Sequence, residues 1–139
     1  PLNSINAVGD DALYEIRTSV NDLIPLLNST LMMFFLELYG RTPGGGSGPL
    51  AVMVEEVKQL PVLTPLQFSA KEIEVLIAAF KSMKARAAQP VTDEIHQPDR
   101  RALDDVVFDV LGLTAGEREA VYEAVMELVR ARLEKAKSL

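Results

Sequence analysis

The chain has 139 residues, of which 48% are hydrophobic and 24% charged, a composition typical of a folded globular protein rather than a collagen-like or disordered chain. It has no cysteine and a single histidine, His96, which excludes a disulfide framework, a cysteine-ligated zinc site and thiol catalysis. The formal charge of −6 is opposite in sign to that of a free-standing nucleic-acid binder.

The charge is distributed unevenly along the chain. Residues 1–40 sum to −4, residues 41–89 to +2 and residues 90–139 to −4, so the middle segment is the only net-basic part. The first residue is Pro1, which suggests a piece of a longer protein, and no signal peptide or lipidation motif indicates export. We therefore expect a cytoplasmic protein whose total charge belongs to a fragment.

The first predicted elements are a short strand and a strongly apolar helix. Apolar residues over 12–17 follow a turn-prone stretch and are typical of a short strand. Residues 23–39, capped by Asn21 or Asp22, form a predicted helix that is apolar around nearly its whole circumference and so needs burial on several sides. Its uninterrupted part is too short for a membrane span, which needs roughly 20 apolar residues.

A glycine-rich loop and a second short β element follow. Gly40 fits a helix end, and residues 41–49 form a predicted loop. This loop is either a connector or a segment that contacts a partner through its backbone N–H groups, because it lacks the Lys-Ser/Thr ending of a phosphate-binding P-loop. Residues 50–54 are short, apolar and partly β-branched, as in a strand, and 55–60 predict a helical turn that stops at Pro61.

Three amphipathic helices occupy the second half. Two of them begin with predicted capping boxes, at Ser69/Glu72 and at Thr114/Glu117. The helix between them is predicted to be capped by Asp99 and closed by Gly112, after a proline-containing connector at 88–98. The last helix runs towards Lys137 and carries acids in its first turns and bases in its last, in agreement with the helix dipole.

No group of residues in the sequence forms a recognisable catalytic centre. His96 lies in a polar connector and is interpreted as a solvated loop residue. One set of acids is interpreted as the solvated face of a helix rather than a carboxylate cluster: Asp104, Asp105 and Asp109. Arg100 and Arg101 begin a helix, where cations are unfavourable, which predicts either an external anionic contact or a salt bridge to Asp104 or Asp105.

Two blocks of the sequence resemble a known family. The first comprises LLNSTL at 26–31, FFLELYGR at 34–41, the glycine-rich loop and VEEVKQLPV at 54–62; it resembles the end of the target recognition domain of adenine-specific DNA methyltransferases. The second comprises residues 99–113, 117–122 and 131–138 and is similar to the C-terminal helical extension of the same enzymes. The specificity subunits of type I restriction systems share a looser form of the first block.

The resemblance implies a DNA-contacting surface at the loop. By analogy with the family, Arg41 and the loop backbone would meet the DNA phosphates, while Asn28 and Ser29 of the motif would serve packing or capping. The contact residues that the resemblance implies are Arg41, Gly44, Gly45, Gly46 and Ser47. Lys58 is added to them because it belongs to the same net-basic segment. The family's catalytic tetrapeptide and its S-adenosylmethionine signature are missing, so the chain is expected to be catalytically silent and to hold neither cofactor nor metal.

The sequence as a whole predicts a mainly α (α+β) fold, with amphipathic helices and a short β element near the N-terminal half. Residues 1–65 would be the end of a recognition domain and 66–139 a helical extension. The predicted function is DNA recognition or scaffolding within a larger adenine methyltransferase. That larger enzyme would bind S-adenosylmethionine and double-stranded DNA, and a nuclease activity on the same chain is left open. The alternative is a helical interaction or oligomerisation module that binds protein through the apolar helix, without DNA or membrane.

Overall fold

The computed structural model describes residues 23–41 and 50–137, which form seven α-helices and one 3-10 turn. The helices are α1 (Leu23–Leu27), α2 (Thr30–Tyr39), α3 (Val54–Gln59), α4 (Ala70–Lys84), α5 (Val91–Glu94), α6 (Pro98–Val110) and α7 (Ala115–Lys137), and the 3-10 turn covers Pro65–Gln67. The prediction of a mainly helical fold is confirmed. The predicted strand at 12–17 and the caps Asn21 and Asp22 lie outside the described residues.

The prediction of a β element at 50–54 is wrong. Ala51 forms only an isolated antiparallel bridge with Arg41, and no sheet occurs in residues 23–41 and 50–137. The chain turns into α3 at Val54 instead. The carboxylate of Glu56 accepts a hydrogen bond from the N–H of Met53 at 3.0 Å, which satisfies a donor at the helix start. This capping interaction outweighs the strand preference of the β-branched residues.

The apolar helix predicted over 23–39 is divided in two. The hydroxyl oxygen of Ser29 accepts a hydrogen bond from the N–H of Met32 at 3.2 Å, so Ser29 caps α2 and ends the continuity with α1. The side-chain amide of Asn28 donates to the carbonyl of Ile24 at 2.8 Å and closes the last turn of α1. Of the two roles predicted for this pair, packing or capping, the structure shows capping.

The starts of the later helices follow the predicted signals in two cases out of three. Both capping boxes form, with the N–H of Ser69 2.6 Å from Glu72 and the N–H of Thr114 2.8 Å from Glu117. The prediction that Asp99 is an N-cap is wrong, because α6 already begins at Pro98, a residue whose fixed φ suits the first helical position. The connector before it contains the short helix α5.

Gly112 ends α6 as predicted. Its φ of 68° is left-handed, a conformation that other residues adopt only at a cost. Its N–H donates to the carbonyl of Asp109 at 3.0 Å, and the N–H of Leu113 donates to the carbonyl of Phe108 at 3.0 Å. These two hydrogen bonds form a Schellman motif, which turns the chain sharply into α7.

One hydrophobic core joins the helices. Helix α6 packs on α4, α7 packs on α2, and α1 packs on α4. The buried apolar side chains of this core are Leu26, Phe68, Leu76, Ala79, Ile95, Leu103, Val107, Phe108 and Tyr122. The rings of Phe108 and Tyr122 meet edge to face with centroids 5.7 Å apart, a favoured aromatic geometry. Within the described ranges, no helix is long and apolar enough to cross a bilayer.

Candidate nucleic-acid interface

Helix α2 leads directly to the base of the glycine-rich loop. Arg41 and Ala51 exchange two backbone hydrogen bonds of 2.8 Å, so the two ends of the segment between them are paired. Gly40 precedes the bridge in an extended conformation, and its N–H donates to the carbonyl of Leu36 at 2.8 Å. A Cβ at Gly40 would lie 2.6 Å from both that carbonyl oxygen and the side chain of Leu50. The bridge therefore requires glycine at position 40 because of this close approach.

Both predicted DNA-contacting cations of the described part have an acidic partner. Arg41 forms an ion pair with Glu56, and its side chain remains 72% exposed. The ammonium of Lys58 lies 2.7 Å from Glu55, with both side chains exposed. Each glutamate neutralises the cation that it contacts, so these two pairs leave no excess of positive charge at the described loop base. The other predicted contact residues, Gly44, Gly45, Gly46 and Ser47, lie outside the described residues.

Apolar side chains surround the loop base. Four large hydrophobic residues are exposed within three residues of the bridge: Leu38, Tyr39, Met53 and Val54. They sit beside the neutral ion pairs of Arg41 and Lys58, so this surface combines apolar groups with a few compensated charges. Aromatic residues, methionine and arginine are the types enriched in the centres of protein–protein interfaces.

A buried carboxylate fixes the start of α2. Asp104 on α6 is fully buried and accepts hydrogen bonds from the N–H of Thr30 at 2.7 Å, from its hydroxyl at 2.5 Å, and from the hydroxyl of Tyr122 at 3.1 Å. Burial raises the pKa of Asp104, and the hydrogen bonds from Thr30 partly offset that rise. Burial, and secondly the nearby Asp104, raise the pKa of Tyr122.

The interpretation of Asp104 as part of a solvated face is therefore wrong for this residue. The other two acids of that set, Asp105 and Asp109, are exposed and pair with Arg118, as that interpretation expects. A signal for the difference is Phe108, which follows Asp104 by four residues and thus shares its face of the helix. Since Phe108 is fully buried, that face of α6 belongs to the core.

An ion cluster ties the corner between α1 and α2 to the later helices. Arg86 donates to both Glu94 and Asp99 with four contacts of 2.8 Å, and Arg100 donates to Glu94 at 3.1 and 3.2 Å. Arg100 also donates to the carbonyl of Asn28. The hydrogen bonds from Arg86, and then those from Arg100, lower the pKa of Glu94 to about 2.

The predicted salt bridges of Arg100 and Arg101 form with other partners than expected. Arg100 pairs with Glu94, and Arg101 pairs with Glu119 at 3.0 Å, instead of with Asp104 or Asp105. The guanidinium of Arg101 also lies 3.6 Å from the ring centroid of Tyr122, a cation–π contact. Both arginines are thus used within the fold, because α5 and α7 place acids beside the start of α6.

A third contact holds the other end of α2. Arg132 on α7 donates to the two carboxylate oxygens of Glu37 at 2.9 and 2.7 Å, in a bidentate pair with both side chains mostly buried. Helix α2 is therefore fixed at its start by Asp104 and near its end by Arg132. The orientation in which the chain leaves α2 towards the loop depends on α6 and α7.

The ion pairs and hydrogen bonds described above position the helices against one another. His96 is exposed, and no group of three or more acids and histidines in residues 23–41 and 50–137 is arranged to hold a metal ion. Comparison with protein-family models, with curated proteins and with solved structures gives no match to this chain.

Proposed function

We propose that this chain is a DNA-recognition and scaffolding part of an adenine-specific DNA methyltransferase of a restriction-modification system, and that it is not catalytic by itself. The observation that supports this proposal is the packing of the two family-like blocks on each other. Thr30 of the first block and Asp104 of the second are joined by two short hydrogen bonds in the core. A helical extension that holds the recognition segment in place is the role that the resemblance implies.

The proposed mechanism is non-covalent. Helix α2, held by Asp104 and Arg132, presents the base of the glycine-rich loop, and the loop backbone with Arg41 docks on the sugar-phosphate chain. The exposed guanidinium of Arg41 can exchange Glu56 for a phosphate, which can accept two parallel hydrogen bonds from a guanidinium. Such contacts position a protein on DNA without reading its sequence. The rest of the enzyme would supply base reading, S-adenosylmethionine and the catalytic residues.

Fluorescence anisotropy of a labelled DNA duplex, titrated with this chain at several salt concentrations, tests the proposal. We expect weak binding that falls with salt, and we expect Arg41→Ala to lower the affinity and reduce the salt slope by about 1. The matched control is Lys81→Ala, which removes one exposed positive charge on α4 without touching the loop base. Equal effects of the two variants, or no binding at low salt, would contradict the loop assignment.

A second candidate function is a helical protein-interaction module. The observation that favours it is the exposed apolar set at the loop base, beside cations that are already paired. This candidate predicts that Leu38→Asp abolishes binding to a protein partner while leaving the DNA titration unchanged. The DNA proposal instead predicts that Arg41→Ala weakens binding to the duplex more than Leu38→Asp does.

A further inference from the structure

The second half of α7 has an open apolar groove beside α5. A cleft of about 530 Å³ lies between α5 and α7, with a floor formed by Val91, Met126, Val129 and Leu133. Leu133 is 49% exposed although it is apolar and central to the groove. Met126, Val129 and Leu133 follow the 3–4 spacing of a heptad seam, the pattern by which one helix receives another. The groove therefore has the shape and spacing of a helix-binding surface.

The charged residues along one edge of this groove are ordered. Glu123, Arg130 and Lys137 recur every seven residues, so they lie on the same edge of α7 beside the seam. The edge begins with an acid and ends with a base, and the two are about 21 Å apart at 1.5 Å per residue. Arg130, in the middle, pairs with Glu127 of its own helix at 2.6 Å. The opposite edge is occupied, because Arg132 is bound to Glu37 of α2.

Neither of the two longer segments outside the described residues, 1–22 and 42–49, matches the groove in composition. Residues 42–49 contain only glycine, proline, serine and threonine, so they offer no large apolar side chain for the floor. Residues 1–22 carry a net charge of −3, whereas the charged residues around the groove already sum to −1. Like charges brought together at an interface disfavour the contact. A helix that carries both signs of charge beside an apolar seam can instead match the order of the charges along the edge of the groove.

We propose that the groove binds α7 of a second copy of this chain, with the two helices antiparallel. In a two-fold symmetric contact, if residue i of the first copy touches residue j of the second, then residue j of the first copy also touches residue i of the second. With the axis beside Arg130, Glu123 of each copy faces Lys137 of the other, which gives two symmetric ion pairs. Leu133 and Met126 of the two copies then fill each other's grooves.

The position of Arg130 at the axis is compatible with this arrangement. Two arginines would repel one another there, but each has its charge compensated by Glu127 one turn earlier. A parallel arrangement would instead set the free edge of one helix against the edge that α2 already covers. In the antiparallel orientation, the edge of one copy that α2 leaves uncovered faces the same uncovered edge of the other copy.

The test is the mass of the chain in solution without DNA, measured by sedimentation velocity or light scattering over a concentration series. We expect a concentration-dependent dimer that Leu133→Asp abolishes. The matched control is Leu111→Asp at the end of α6, because Leu111 is also an exposed leucine, at 39%, and does not line the groove. Circular dichroism shows whether each variant keeps its helices. A strict monomer, or a dimer that survives Leu133→Asp, would overturn the proposal.

Charge reversal tests the antiparallel pairing separately. Glu123→Lys and Lys137→Glu each place like charges across both symmetric contacts and should raise the dimer Kd roughly tenfold. The double variant restores both pairs, and an equimolar mixture of the two single variants should form a mixed dimer tighter than either variant alone. Unchanged Kd values in both single variants, or no gain on mixing, would rule out this geometry. Neither assay depends on the DNA proposal.

Discussion

The carboxylate of Asp104 accepts both the backbone N–H and the hydroxyl of Thr30, 74 residues earlier in the chain. A third donor, the hydroxyl of Tyr122, reaches the same carboxylate at 3.1 Å. One fully buried acid on α6 therefore receives three hydrogen bonds from α2 and α7. Because a buried charge is costly unless its hydrogen-bonding capacity is used, this arrangement makes Asp104 the residue on which the joining of the three helices depends.

Replacing Asp104 by Asn should destabilise the fold strongly. The substitution keeps the size of the side chain but puts an amide donor against groups that are themselves donors, so at least one buried donor loses its acceptor. We expect a loss of about 2–4 kcal/mol in the free energy of unfolding, measured by urea denaturation. The control is Asp105→Asn, an exposed neighbour, which should change stability by less than about 0.5 kcal/mol. Similar midpoints for the two variants would contradict the role of Asp104.

Glu94 should give the fold a measurable sensitivity to acid. Its pKa is lowered from the usual 4.5 to about 2, so its stabilisation is fully present above pH 4.5 and is lost as the pH falls towards 2. We expect this residue to account for a loss of about 2 kcal/mol between pH 6 and pH 3. Denaturation of Glu94→Gln should show a correspondingly flatter dependence on pH.

Two comparisons sharpen the acid experiment. The control variant Asp93→Asn alters an exposed carboxylate on the same short helix and should change the free energy of unfolding less than Glu94→Gln does. Asp104 acts with the opposite sign, because its pKa is raised and the folded state holds the proton more tightly than the unfolded state does. Its contribution therefore becomes less favourable as the pH rises above 3.8. A profile for Glu94→Gln as steep as before would show that other groups dominate.

Two glycine-to-alanine changes should have opposite effects. In Gly40→Ala the new methyl group would meet the backbone carbonyl of Leu36 and the side chain of Leu50, so we expect a destabilisation of about 1–3 kcal/mol. In Gly116→Ala the methyl group meets nothing within 4 Å, and alanine is the better helix former, so a gain of up to about 1 kcal/mol is expected. Thermal and urea denaturation of both variants provide the measurement.

The pair between Arg132 and Glu37 should contribute more than an exposed pair on the same helix. Arg132→Gln leaves a mostly buried carboxylate without its bidentate donor and should cost about 1–3 kcal/mol. Arg130→Gln removes the pair with Glu127, in which both side chains are 64% exposed, and should leave the midpoint of urea denaturation nearly unchanged. Amide hydrogen exchange should show faster opening at the end of α2 in the first variant alone.

The sequence was informative wherever a local signal decides the structure. The capping boxes at Ser69 and Thr114 and the left-handed glycine at Gly112 each depend on a few neighbouring residues, and all three were predicted correctly. The β-branched run at 50–54 was misleading, since intrinsic strand preference is weak without a neighbouring strand to pair with. Glu56, which caps α3, was the stronger local signal.

The candidate site was less predictable because its contacts join distant parts of the chain. Periodicity describes one helix at a time. It could place Asp104 next to Leu103 on its own helix, but it could not show that Thr30 contacts Asp104. The charge balance of the segment 41–89 had the same weakness. It counted Arg41 and Lys58 as free cations, whereas the structure pairs each with a glutamate of α3.

The bridge between Arg41 and Ala51 has a consequence for how this chain can be altered. Because the backbone hydrogen bonds fix both ends of the segment 42–50, the length between them adds little to the free energy of folding. Doubling it should cost only about 0.6 kcal/mol in loop-closure entropy. Insertions at this place, whether by natural variation or by engineering, would change what the segment reaches while the helices beneath it keep their packing.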